Sequence, residues 1–232
     1  MSPIAIFYHA RINGTPANID ESKAESIMRN QVCCLEETGL MESSSEFHVN
    51  YHGPERGSVL ANDVSGNGSI FTHTPDNDNG LDGELPTLGM LQDWLPNHPD
   101  WLVFYFHTKG VTKPDDPLRV AWRDCMMKAT VVRWRECVSA LESGMDMAGA
   151  HWLTTADLTP GTKNLVGQIW GGNFFWARAS YLISLPPLAR KVNPEKGIDR
   201  YWAEGWVGKG KNPRVLDLAP HWPSIESCRN NL

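Results

Sequence analysis

Four short segments combine residue types that can do chemistry. The first is His107-Thr108-Lys109-Gly110. A lysine at a strand end can hold a phosphate as a point charge, and glycine lets the backbone approach a ligand. An imidazole there can donate to a phosphate oxygen or move a proton. The plain alternative is a strand exit with a satisfied histidine and a solvent-facing lysine. The second is Trp122-Arg123-Asp124, where Arg123 can grip a phosphate bidentately or serve as an ordinary charge partner on a helix. The third is Trp170-Gly171-Gly172-Asn173-Phe174-Phe175-Trp176. Gly171 and Gly172 give close backbone access, and Asn173 both donates and accepts. The aromatic faces, Trp176 among them, suit the C–H face of a sugar ring, or equally a packed cluster beside a glycine bulge. The fourth runs from Asp199 through Arg200 and Glu204 to Trp206. On a helix Arg200 and Glu204 share a face, either as an ion pair or as a carboxylate aimed at a reacting hydroxyl with Arg200 orienting it. A glutamate flanked by Trp202 and Trp206 is partly desolvated, as a general base benefits from being.

The elements that must position these groups follow from periodicity. A buried first strand is expected over 3–9, then a helix after Asp20 whose face is Ala24, Met28, Val32 and Leu35, stopped by Gly39. A second strand at 46–51 completes a βαβ start. Residues 53–68, rich in Gly, Ser and Asn, read as loop, with a short strand at 69–72 and a helix from about Glu84 or Pro86 to Leu95. The run Trp101 to Phe106 is continuously apolar, as in an interior parallel strand covered on both faces, and ends at His107. One long helix is expected over 117–142, carrying the stripe Met127, Val131, Trp134, Val138 and Leu141. Strands at 145–150, 168–177 and 215–218 and helices at 180–185 and 198–207 complete the chain.

A chain of 232 residues can bury one substantial core, and without repeats or a linker a single domain over 1–232 is expected. A net charge of −6 argues against broad binding to nucleic acid or anionic membrane, while leaving room for a local basic pocket. Cys33, Cys34, Cys125, Cys137 and Cys228 show no regular spacing and no CxxC pair. Buried thiols in a reducing compartment are therefore expected, and a structural zinc site is not. The apolar N-terminal run is too short for a signal peptide, and no stretch approaches the ~20 apolar residues of a membrane span. A cytoplasmic protein without stable membrane insertion is the expectation. The sequence carries no P-loop, no dinucleotide-binding glycine fingerprint, no G-x-S-x-G elbow and no H-E-x-x-H helix.

Five blocks in order carry a family resemblance: Glu84-x-Pro86-Thr87-Leu88, Tyr105 to Val111, Trp122-Arg123, Gly172 to Ala177, and Arg200-Tyr201-x-x-Glu204-x-Trp206-Val207-Gly208. Over roughly residues 84 to 208 the chain resembles a group of bacterial and viral glycosyltransferase-like proteins, distantly similar to the rhamnan-synthesis glycosyltransferases. The resemblance implies a GT-A-like α/β fold: a Rossmann-type, mostly parallel central sheet with helices on both faces. It implies transfer of a sugar from a nucleoside diphosphate donor to a hydroxyl acceptor, a glycan or, in a phage setting, DNA. A nucleotide-sugar hydrolase and a non-catalytic carbohydrate- or protein-binding module are the rival readings. The resemblance nominates Glu204 as the carboxylate near the acceptor; Asp199 is its substitute should Glu204 prove dispensable, and His107, by its strand-end position, is a further catalytic candidate. Lys109, Arg123, Gly172, Asn173, Trp176, Arg200 and Trp206 are expected to bind substrate. Such enzymes often hold Mn²⁺ or Mg²⁺ on an Asp-x-Asp motif. Here that motif is Asp76-Asn77-Asp78, in a turn-like segment, with His221 placed to complete a site. The central strand end carries His107-x-Lys109 instead, so a metal-free basic pocket built on Lys109 and Arg123 is favoured slightly.

Overall fold

The computed structural model describes residues 2–11, 21–53, 55–66, 68–74, 83–154, 157, 167–188, 203–220, 224, 226 and 228. Among the described residues there are nine strands, the first four separated by helices. Strands β1 (Ile4–Ala10), β2 (Glu46–His52), β3 (Ile70–Thr74) and β4 (Leu102–His107) come first. The short strands β5 (Met147–Gly149), β6 (Trp152–Leu153), β7 (Ile169–Trp170), β8 (Phe175–Arg178) and β9 (Val215–Asp217) follow. Seven of these strands form one sheet in the order β3-β2-β1-β4-β8-β5-β9, and β6 and β7 pair separately. Every neighbour pair among β1 to β4 is parallel, as is β5 with β9; β8 runs antiparallel to β4 and β5. The mostly parallel sheet expected from the sequence is thus present, with β4 in its interior.

Alternation along β1 and β4 builds two cores. Ile4, Ile6, Tyr8, Phe104 and Phe106 face α1 (Glu21–Glu37), α5 (Pro117–Met127) and α6 (Trp134–Glu142). Ala5, Phe7, Val103 and Tyr105 face α4 (Leu85–Trp94) and the short helix Ala179–Ile183. Helices therefore cover both faces, which is why β1 and β4 tolerate an unbroken apolar sequence.

Three expectations fail locally. Residues 55–65 form a helix, α3 (Glu55–Ser65), where the composition suggests loop. Its Ala61 and Val64 are buried, and Gly57 lies against Tyr51 so closely that a Cβ would stand 2.0 Å from the phenol oxygen. The glycine is a packing requirement there rather than a helix breaker. The long helix over 117–142 is interrupted: Lys128–Val132 is a π-turn, and Arg133 leaves helical geometry at φ −97° and ψ 26°. The widened turn lets the Thr130 carbonyl accept from Trp176 Nε1 at 2.8 Å. The strand-like run 168–177 is split into β7 and β8 by a turn at Gly171-Gly172-Asn173. Among the described residues, no helix is long and apolar enough to cross a membrane.

Candidate active site

Chain order reverses at β1: β2 lies on one side, and the crossover through α4 delivers β4 to the other. In open α/β sheets such a switch point opens a crevice beyond the carboxyl ends of the strands. His9 and His107 are register partners on β1 and β4 at that end. His9 Nδ1 lies 2.8 Å from Thr87 Oγ1 on α4. Burial, reinforced by the neighbouring His107, His52 and Arg11, holds His9 well below the ordinary imidazole pKa.

The organising residue of the crevice is Glu84, immediately before α4. Its Oε2 accepts from the Tyr105 hydroxyl at 2.7 Å and from Asn173 Nδ2 at 2.5 Å. Its Oε1 lies 3.7 Å from His107 Nε2. That nitrogen donates to the Gly172 carbonyl at 2.8 Å, which fixes the tautomer of the neutral ring. Burial raises the Glu84 pKa, opposed by its hydrogen bonds from Tyr105 and Asn173 and by the Lys109 charge. Burial, together with Lys109, depresses His107 to about 4. The His107 ring is therefore neutral at neutral pH, and its contact with Glu84 is not an ion pair.

Glu204 belongs to the same group. Its negative charge acts on both Tyr105 and His107, and it is only half-buried. Residues 203 and 204 are helical and Val207–Lys209 forms a 3-10 turn. Lys109 Nζ stands 3.8 Å over the Trp122 ring, and Arg123 Nη1 donates to the Lys109 carbonyl at 3.3 Å. Gly110, at φ +85°, has Arg123 Nη1 3.5 Å from where a Cβ would stand, so the His107–Gly110 and Trp122-Arg123 segments meet through this turn. Arg123 also walls a groove of about 390 Å³ between α1 and α5, with Asn30, Gln31, Met127 and Lys128. Gln31, on the wall of that groove, donates its amide to the His107 carbonyl at 3.0 Å.

Asn173 occupies left-handed backbone, φ 57°, which asparagine tolerates better than most residues. Its Oδ1 is buried with no hydrogen-bond partner among the described residues. Gly172, at φ +91°, has Met126 Sδ 2.5 Å from any added Cβ. This glycine is itself fully covered, so it places its carbonyl on His107 rather than lying open to a substrate. Two tryptophans expected at the substrate require correction. Trp176 is wholly buried, stacked on Phe104, with its Nε1 on Thr130. Trp206 is also wholly buried, with Nε1 donating to the Pro186 carbonyl at 2.9 Å. Both are core residues whose one polar atom is already satisfied. Asp76, Asp78, Asp199, Arg200 and His221 lie outside the described residues.

No protein-family model matches the chain, and no curated protein matches it either. Among solved structures, a mycobacterial protein aligns at 15% identity over 97% of this chain and 70% of its own, with a TM-score of 0.49. Mycobacterium tuberculosis glucosyl-3-phosphoglycerate synthase, in complex with Mn²⁺, uridine diphosphate and phosphoglyceric acid, aligns at 13% identity over 93% of this chain and 68% of its own, with a TM-score of 0.46.

The geometry defines what the crevice can do. A carboxylate pinned by two donors is rigid, a half-buried one is reachable, and a lysine beside an arginine can meet an anion. Among the described residues, the group of three that could hold an ion is Cys125, His151 and Cys228, whose thiols suit neither Mg²⁺ nor Mn²⁺.

Proposed function

We propose that this chain is a glycosyltransferase of GT-A type, acting as one domain over residues 1–232. It moves a sugar from a nucleoside diphosphate donor to a hydroxyl acceptor. The observation that supports this most is the convergence on the β1/β4 switch point of Glu84, Glu204, neutral His107 and cationic Lys109. Lys109 and Arg123 take the diphosphate, as charge-assisted contacts. Glu204, the more accessible carboxylate, faces the acceptor and takes its proton as the hydroxyl attacks the anomeric carbon. Glu84, locked by Tyr105 and Asn173, holds the floor of the crevice. Arg200 orients Glu204, and Asp199 is the alternative base. Asp76, Asp78 and His221 are the proposed ligands if a divalent ion joins the diphosphate; such an ion would screen the phosphate charge. A glycan or other small hydroxyl compound fits a chain of net charge −6 better than DNA does.

Product analysis with a panel of nucleotide sugars and Glu204→Gln tests the reading. The wild type should release nucleoside diphosphate and pass the sugar to an acceptor; free sugar alone would indicate hydrolysis, and no turnover a binding module. The variant should lose ~100-fold or more in turnover while donor affinity barely changes. A folded Glu204→Gln chain with near-normal turnover would move the role to Asp199.

A further inference from the structure

On the sheet face away from Glu84, three residues far apart in sequence converge. Cys125 comes from α5, His151 follows β5, and Cys228 lies near the C-terminus. Their sulfur and ring-nitrogen atoms all lie within 4.8 Å of one another, and all three residues are buried. We propose that Cys125, His151 and Cys228 form a binding site for a thiophilic divalent metal ion, Zn²⁺ by its chemistry, separate from the sugar-transfer crevice.

The geometry is close to what the ion needs. Zn–S bonds of ~2.3 Å and Zn–N bonds of ~2.0 Å in a tetrahedron hold ligand atoms roughly 3.5–3.8 Å apart. Side-chain adjustments of about an ångström or less would close the triangle. Charge also balances: two thiolates neutralise a divalent ion, so the centre carries no net charge into a dry interior. Each thiol gives up its proton to solvent as the ion binds, and no electron moves. Three protein ligands leave a fourth coordination position, filled by water in the simplest case.

The surroundings hold the imidazole in place. His151 sits at φ 62°, a left-handed conformation uncommon outside glycine and asparagine. Asp217 fixes that backbone: Oδ1 accepts from the His151 and Ala219 main-chain N–H groups at 2.9 and 3.0 Å, and Oδ2 from that of Trp152 at 2.9 Å. The His151 carbonyl accepts from Gly171 N at 2.7 Å. A disulfide between Cys125 and Cys228 is the competing use of the two sulfurs, and their thiols are within hydrogen-bond reach of each other. It would use two of the three residues. The metal uses all three residues and ties α5, the end of β5 and the C-terminal segment together.

The experiment uses the full chain carrying Cys33→Ser and Cys34→Ser, so that the more accessible adjacent thiols contribute nothing. Purified protein is analysed for zinc, then stripped with chelator and titrated with Co²⁺ under reducing conditions. The expected results are about one zinc per chain and a near-ultraviolet sulfur-to-cobalt charge-transfer band that Zn²⁺ abolishes. Stripping should lower the unfolding temperature by roughly 5 °C or more, restored by Zn²⁺. Cys228→Ser should lose the band, and His151→Asn, which tolerates the left-handed backbone, should bind at least tenfold more weakly. If either variant fails to fold, the strip-and-restore measurement on the parent chain decides. No retained zinc and no cobalt band in the folded parent, or a Cys125–Cys228 disulfide in protein purified without oxidant, would overturn the proposal.

Discussion

At the residue scale, Glu84 and His107 are the instructive pair. Sequence position alone marks His107 and Lys109, because they follow the most apolar strand of the chain, and strand ends of that kind face ligand crevices. Glu84 gives no such signal. It reads as the residue before a proline-initiated helix, and only the fold reveals that this helix starts beside the end of β4. A hint was present in its place within the Glu84-x-Pro86-Thr87-Leu88 block. Trp176 and Trp206 show the opposite error, since aromatic content does not tell a sugar platform from a core. The protonation states are testable. His107 has an ordinary pKa of 6.5 but about 4 in the folded chain, and His9 is shifted the same way. As pH falls from 6.5 towards 4, the unfolded chain takes up protons that the folded one refuses, so stability falls with pH. His107 contributes on the order of 1 kcal/mol per pH unit in that window, and His9 acts in the same direction. Glu84, with its pKa raised, works in the opposite direction as its carboxyl protonates. Unfolding temperatures measured from pH 7.5 down to 4.5 should fall, and His107→Gln should flatten the slope. An identical slope in that variant would mean that His107 is not held neutral.

At the element scale, what was legible is what depends on local pattern. Ala24, Met28, Val32 and Leu35 are all buried on α1 as their spacing requires, and Gly39 ends the region at φ 71°. The stripe Met127, Val131, Trp134, Val138 and Leu141 is buried too, although the helix carrying it breaks at Arg133. The break answers a partner distant in sequence, Trp176, so periodicity could not show it. Helix α3 was hidden for a related reason: Gly57 looks like loop composition, yet it marks close contact with Tyr51. The two explanations of Gly57 differ in sign. Helix propensity alone makes Gly57→Ala stabilising by about 1 kcal/mol. Contact with the rigid, buried Tyr51 ring makes it destabilising by about 1–3 kcal/mol. We expect destabilisation in denaturant titration, relieved in part when Tyr51→Phe removes the nearest atom. A stabilised Gly57→Ala chain would show that the two elements are not packed this closely.

At the scale of the whole molecule, the sheet order explains why distant motifs meet. Strand β4 crosses to the far side of β1, so Glu84 enters beside His107, while β8 returns antiparallel and carries Asn173 to the same place. Lys109 and Arg123 then give an acidic chain of net charge −6 a local cationic patch. The most direct test of the central claim is calorimetric titration with nucleoside diphosphates and their parent nucleosides, with and without Mn²⁺, of the wild type and Lys109→Ala. The proposed function predicts that at least one nucleoside diphosphate binds more tightly than its nucleoside. It also predicts that Lys109→Ala weakens the diphosphate ~10-fold or more, the size of a lost charge-assisted hydrogen bond, and leaves the nucleoside nearly unchanged. Failure of every diphosphate to bind under either condition, or equal weakening of diphosphate and nucleoside, would contradict it.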